Sequence, residues 1–235
     1  MGPSGSAATP ASLRARRHTH GIVLAIGSDA TALDGATGRF LSFEGVDGSG
    51  KSTQVRHLAG FLRDRGVEVV EVREPGGTEA GERIRAVVLD PESTLTPESE
   101  ALLFAAARAQ VVAEVIEPAL ARGATVIADR FVDSSLVYQG IVRGVGLEAV
   151  RSINAFATGG RLPDRTIWLD VPVDEAIVRG GSERDRIERE GAAFHGAVND
   201  AYATLAQADA ARIVRVLGDG APDEVAARVR EAIGV

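Results

Sequence analysis

The run Arg39-Phe40-Leu41-Ser42-Phe43-Glu44-Gly45-Val46-Asp47-Gly48-Ser49-Gly50-Lys51-Ser52-Thr53 decides the fold. Its first six residues alternate apolar and polar like a short strand, and the residues after Gly50 read as a helix. Between them lies G-x-x-x-x-G-K-[ST], from Gly45 to Ser52, a loop whose backbone N–H groups cradle nucleotide phosphates. Lys51 is the only lysine beside 25 arginines. A chain that avoids lysine elsewhere keeps one where a compact ammonium is needed and a planar guanidinium does not fit. The strand–loop–helix setting separates this pattern from a glycine-rich turn. It implies a nucleoside triphosphate held by Gly45, Val46, Asp47, Gly48, Ser49, Gly50, Lys51, Ser52 and Thr53, with the Ser52 hydroxyl on magnesium.

Composition narrows the rest. The 235 residues are 45% hydrophobic and 25% charged, ordinary globular values that suit one α/β domain. A net charge of −7 argues against a broad nucleic-acid or membrane footprint, so anionic substrates must be met by local arginines. With no cysteine, disulfides and thiolate metal sites are excluded, which fits a reducing, cytoplasmic setting. No apolar run approaches the roughly 20 residues that span a bilayer. Residues 1–38 are rich in Ser, Ala, Thr and Gly, carry Arg14, Arg16 and Arg17, and hold no acid before Asp29. They are expected to form a disordered extension, with a faint targeting signal or an edge strand at 22–26 as alternatives.

From residue 39 strands and helices alternate. Strand-like runs at 40–44, 67–72, 124–128, 166–169 and 212–216 are separated by helical stretches at about 51–65, 78–89, 97–121, 147–157, 174–179, 191–209 and 222–233. The reading is an α/β fold, a five-stranded parallel sheet with helices on both faces, in a single domain 39–235. Ligands of such sheets collect beyond the carboxyl ends of the strands. There lie the phosphate loop, then Arg73-Glu74-Pro75-Gly76-Gly77-Thr78, then Asp129-Arg130.

Asp129 is placed like the acid that organises a magnesium shell, although capping a following helix would explain it too. Phe104 and Arg108 stand four residues apart on one helix face, suiting a flat heterocycle that one stacks under and the other meets at its edge. Leu102, Leu103 and Val112 offer a core stripe instead, but an arginine on such a stripe wants a buried partner. Residues 179–190 form a charge-dense run opened by Gly180-Gly181. They read as a solvated helix face or as a lid whose arginines close on transferring phosphates.

Taken in order, the phosphate loop, Arg73-Glu74-Pro75-Gly76-Gly77-Thr78, Leu103-Phe104-Ala105-Ala106-Ala107-Arg108, Asp129-Arg130, Asp133-Ser134-Ser135-Leu136-Val137-Tyr138-Gln139-Gly140 and Asp185-Arg186-Ile187-Glu188 resemble bacterial thymidylate kinases. The loop alone is common to many families; the second and fifth blocks together are far more specific. The resemblance implies a P-loop nucleoside monophosphate kinase fold, transfer of the γ-phosphate of ATP to dTMP with Mg2+, and a homodimer. It implies that Lys51 holds the ATP phosphates, Ser52 and Asp129 the metal, and Asp47 the 3′-hydroxyl of dTMP. Arg130 would grip the dTMP phosphate, Phe104 stack under thymine, and Arg108, Ser135 and Gln139 meet its edge. Tyr138 would crowd the sugar 2′ position, with Glu74 and Arg85 lining the same pocket.

Three departures from the family pattern stand out. The extension 1–38 has no counterpart, and Phe131 replaces the usual Tyr or His. The phosphate loop has Gly48-Ser49 and no arginine, so a lid arginine is expected to act. Gly181 stands near one usual lid position, which leaves Arg179, Arg184 and Arg186, with Arg184 and Arg186 put forward. Alternatives are another nucleoside monophosphate kinase or a non-catalytic nucleotide-binding regulator. A GTPase switch would need Asn-Lys-x-Asp, which a chain whose lone lysine is Lys51 cannot supply.

Overall fold

Residues 1–2, 38–180 and 185–235 are described by the computed structural model, so the readings for 3–37, and for Gly181 and Arg184, fall outside the described residues. The chain divides into two units, Met1–Ala30 and Thr31–Val235, and every element below belongs to the second.

Five parallel strands lie in the order β2-β3-β1-β4-β5: β1 Phe40–Glu44, β2 Val69–Arg73, β3 Thr125–Asp129, β4 Arg165–Asp170 and β5 Ile213–Leu217. Side chains alternate between two cores because successive Cβ atoms point to opposite faces. Leu41, Phe43, Ile127, Ile167 and Leu169 pack on one face against Val55, Leu58 and Leu62 of α1 (Lys51–Arg63) and Val225, Val229 and Ile233 of α9 (Pro222–Ile233). Phe40, Val126, Ala128 and Trp168 face the opposite core, with Val111, Val150, Val198, Tyr202 and Leu205. These come from α3 (Pro97–Val111), α6 (Leu147–Thr158) and α8 (Ala192–Ala208). A fully buried Leu such as Leu62 contributes about 1.5–3 kcal/mol, so both faces are strongly specified.

Local signals explain two of the helix starts. Thr78 accepts from the Gly81 amide at the start of α2 (Glu79–Leu89), and Thr96 accepts from Ser99 ahead of Pro97 in α3. The single helix expected over 97–121 is instead α3, a π-helical segment Val112–Ile116, and α4 (Glu117–Ala121). Pro118 has no N–H to donate, and the Glu117 amide bonds back five residues to the Val112 carbonyl, which widens the turn there.

A second difference is larger. The short α5 (Val132–Ser135) runs into a π-helical segment, Leu136–Val142, where no element was expected. Every residue from 131 to 140 is buried, so the stretch has no polar face to reveal a helical period. Strand β2 starts two residues later than its apolar run, because Val67 is drawn into the turn closing α1 through a bond to Leu62 O. Helix α7 spans Val173–Arg179. Among the described residues no helix is long and apolar enough to cross a membrane.

Register brings the informative residues to one edge. Asp129 pairs with Phe43 on one side and Arg73 on the other, so β1, β2 and β3 end side by side.

Candidate active site

The loop between β1 and α1 is shaped by glycine. Gly48 has φ 80°, and a Cβ there would lie 2.0 Å from the Ala176 carbonyl oxygen, so the loop packs directly on α7. Lys51 is buried beneath it, and its ammonium donates to Gly45 O at 3.2 Å and Val46 O at 2.8 Å. Burial, aided by Arg130, lowers its pKa to about 8 against the pull of Asp47 and Asp129. One residue on, the Ser52 hydroxyl donates to Asp129 Oδ2 at 2.6 Å.

Arg130 carries φ 71°, a left-handed conformation that costs a non-glycine residue about 1–3 kcal/mol. The surroundings hold it there: its guanidinium donates to Asp47 Oδ1, to Gly45 O at 3.0 Å and to Ser134 Oγ at 3.1 Å. Its Cζ stands 5.2 Å from the Tyr138 ring centre. Burial opposes ionisation of Asp47, but Arg130 and Lys51 outweigh it and hold the carboxyl at about 2. The pair is therefore a fixed anion beside a fixed cation at the mouth of the phosphate loop.

Arg108, 1% exposed, meets the buried partner that its place on the core stripe requires. Its Nε donates to Glu74 Oε2 at 2.7 Å, and Nη2, 2.6 Å from the same oxygen, donates to Phe131 O at 3.0 Å. Its Nη1 donates to Ser135 Oγ at 2.9 Å and to Asn154 Oδ1. Four hydrogen bonds and the ion pair with Glu74 already engage every nitrogen of the guanidinium, so an edge contact from Arg108 to a base would compete with them. Beside this cluster the buried Tyr138 hydroxyl and Glu74 Oε1 have no partner among the described residues. Leaving such a group unmet costs about 1–3 kcal/mol, and both residues line the cleft.

Behind the site sits Glu44, fully buried, accepting from the Phe131 amide at 2.8 Å, from Tyr202 OH at 2.9 Å and from Ser134 Oγ. Burial, then the nearby Asp133, pushes its carboxyl up to about 7, with Arg130 opposing. A raised native pKa means that the folded state keeps a proton the unfolded chain has lost. Stability therefore falls as pH rises from about 4.5 to about 7, by up to about 3 kcal/mol. Glu44→Gln is expected to flatten the melting temperature over this range and to gain most over the parent near pH 8. Parallel melting curves for the two proteins between pH 5 and 8 would place the titration elsewhere.

A continuous cleft of about 610 Å³ joins these parts. It is lined by loop residues 47–53 and by Glu74, Arg85, Phe104, Asp129, Arg130, Ser135, Tyr138 and Gln139. Arg85 donates to Pro75 O at 2.9 Å. Gly45, Val46 and Arg108 stand behind this lining rather than in it. Of the lid arginines, Arg179 lines the cleft and donates to Gly218 O at 2.9 Å. Arg186 is not brought to the cleft: it donates to Val88 O at 3.0 Å and to Glu100 Oε2 at 2.6 Å.

The thymidylate kinase family model matches residues 43–229. The chain belongs to the thymidylate kinase family. It is 47% identical over 182 residues to the thymidylate kinase of Thermoanaerobacter sp. (strain X514), covering 77% of this chain and 90% of that one. It is 52% identical over 176 residues to that of Desulforudis audaxviator, covering 74% and 80%. The crystal structure of thymidylate kinase from Ehrlichia chaffeensis superposes with a TM-score of 0.68 at 31% identity, over 83% of this chain and 98% of that one.

Several cleft residues of this thymidylate kinase family member were not assigned a role from its sequence. Arg73, the last residue of β2, lines the cleft, and the strand-end logic that singles out Asp129 would have found it. Ser134 carried a signal too, lying within the Asp-Ser-Ser block. Gln54, Gly218, Gly220, Pro222 and Val225 also line the cleft, beside the phosphate loop and α1. Gln54 follows the loop motif directly, whereas the other four come from a distant segment with no local pattern, so only the tertiary fold brings them there.

Proposed function

We propose that this cleft transfers the γ-phosphoryl group of ATP to dTMP, giving dTDP and ADP. The observation that carries the reading is the junction, within one cleft, of the Lys51 loop with a pocket lined by Phe104, Tyr138 and Gln139. Lys51 and the amides at the start of α1 hold the donor phosphates. Arg130 grips the acceptor phosphate, and the ionised Asp47 accepts from a sugar hydroxyl. Phe104 stacks under the base, Ser135 and Gln139 meet its edge, and the Tyr138 hydroxyl crowds the 2′ position beside Glu74 and Arg85.

An oxygen-only donor set, Ser52 Oγ with Asp129 Oδ2 beside it, suits Mg2+. The metal supplies charge neutralisation on the transferring phosphates. Residues 39–235 act as one kinase domain with 179–190 as its lid, in the cytoplasm. Phe156, Leu102 and Val87 are exposed on α6, α3 and α2, and α3 packs on both α2 and α6. These exposed apolar side chains on neighbouring helices support a twofold dimer.

An ADP-release assay across dTMP, dUMP, CMP, UMP, AMP and GMP tests the reading, with dTMP expected to be the preferred acceptor. A preference for a purine monophosphate would favour a different monophosphate kinase, and no turnover with any would favour a binding regulator. In the same assay Phe104→Ala is expected to raise KM for dTMP by roughly five- to 150-fold while KM for ATP holds, since stacking on one base is worth about 1–3 kcal/mol. Equal losses for both substrates with a large drop in melting temperature would make Phe104 a core residue.

A further inference from the structure

The buried carboxylate of Glu100 has no part in the chemistry described so far. It sits in α3 one turn before Phe104, 2% exposed, at a junction of three segments. Its Oε1 accepts from Gln139 Nε2 at 2.7 Å and lies 3.5 Å from Arg143 Nε. Its Oε2 accepts from Arg186 Nη2 at 2.6 Å. Arg186 is also tied to Val88 O, and Arg143 Nη1 pairs with Glu190 Oε1 at 2.7 Å.

The two ends of a glutamine amide look alike in shape, and their assignment rests on the partners they meet. Here the partner decides it. A carboxylate flanked by two guanidinium groups only accepts, so it must face the amide nitrogen of Gln139. The amide oxygen is then turned the other way. Gln139 lines the cleft, and among the described residues nothing donates to its Oε1.

We propose that Glu100 is a positioning residue for acceptor selection: by holding Gln139 Nε2, it presents Gln139 Oε1 to the base as an acceptor. An acceptor at that point pairs with a pyrimidine whose ring N3 carries a hydrogen, as in thymine and uracil. Cytosine offers a lone pair at N3 and is repelled. A single buried acid, 39 residues from Gln139 in the chain, thus sets the polarity of the base reader and binds the lid segment through Arg186. The inference rests on the proposal that Gln139 meets the base edge.

The test is kcat/KM for dTMP and dCMP in the full chain carrying Glu100→Gln. A glutamine at 100 donates as well as accepts, so the Gln139 amide can turn over and present its NH2 group. The ratio of dTMP to dCMP efficiency is expected to fall at least about tenfold, with KM rising for dTMP, falling for dCMP and unchanged for ATP. Gln139→Ala is expected to raise KM for dTMP and, combined with Glu100→Gln, to abolish the further change in ratio. A ratio within about threefold of the parent, or equal losses on both acceptors, overturns the positioning role. If Gln139→Ala alone changes neither acceptor, base reading by Gln139 fails and the inference fails with it. If Gln139→Ala matters and Glu100→Gln does not, only the positioning is wrong. Should Glu100→Gln not fold, Glu100→Asp withdraws the carboxylate by one methylene and is expected to lower the same ratio; an unchanged ratio overturns the proposal.

Discussion

Replacing Lys51 by methionine is expected to lower kcat at least about a thousandfold, roughly 4 kcal/mol of transition-state stabilisation, with a folded protein and a melting temperature near the parent's. The ammonium sits under the loop within reach of Gly45 O, Val46 O and Ser49 Oγ, at the start of α1. A charge placed there meets the donor phosphates together with the helix N-terminus. Lys51→Arg is expected to be nearly as damaging. Lys51 is buried, and a planar guanidinium there would bring five N–H groups to satisfy among the few acceptors that now meet a compact ammonium. Comparing ADP release by the two variants separates charge from shape. If Lys51→Arg retains more than about a tenth of the parent kcat, only the charge matters and the avoidance of lysine elsewhere has no bearing on the site.

How much of this was readable in advance depends on whether a residue's partner is near in sequence. The strands were legible because short, mostly apolar runs such as β1 and β3, buried on both faces, stand between helical stretches. The phosphate loop was legible because its glycines, lysine and serine act within eight residues. Segment 132–140 was opaque for the opposite reason: a stretch buried on all sides carries no periodicity. Arg108 was recognisable as needing a buried partner, but Glu74 lies 34 residues away and Asn154 lies 46 away, so no local pattern could name them. Arg186 shows the same limit. Its motif suggests a lid finger, while its side chain lies against Glu100, 86 residues back in the chain.

That contact reassigns the work expected of the lid. Charge on the transferring group must be met on the side that Lys51 and the loop amides do not cover, and the loop itself has no arginine. Arg179 is one turn beyond Ala176, whose carbonyl touches Gly48, and it lines the cleft. Of Arg179 and Arg186 it is the one that lines the cleft. Arg179→Ala is therefore expected to lower kcat by at least about a hundredfold with little change in the ground-state affinity for ATP, as for a contact made mainly in the transition state. Arg186→Ala is expected to act more weakly, about tenfold, and chiefly through KM for dTMP, because it strips Glu100 of an ion-pair partner rather than the phosphates of a donor. Single-turnover rates for both variants decide between them. A greater loss of kcat in Arg186→Ala than in Arg179→Ala would mean that Arg186 leaves Glu100 during each turnover to reach the phosphates. The buried pair would then be the open state of the lid rather than its anchor.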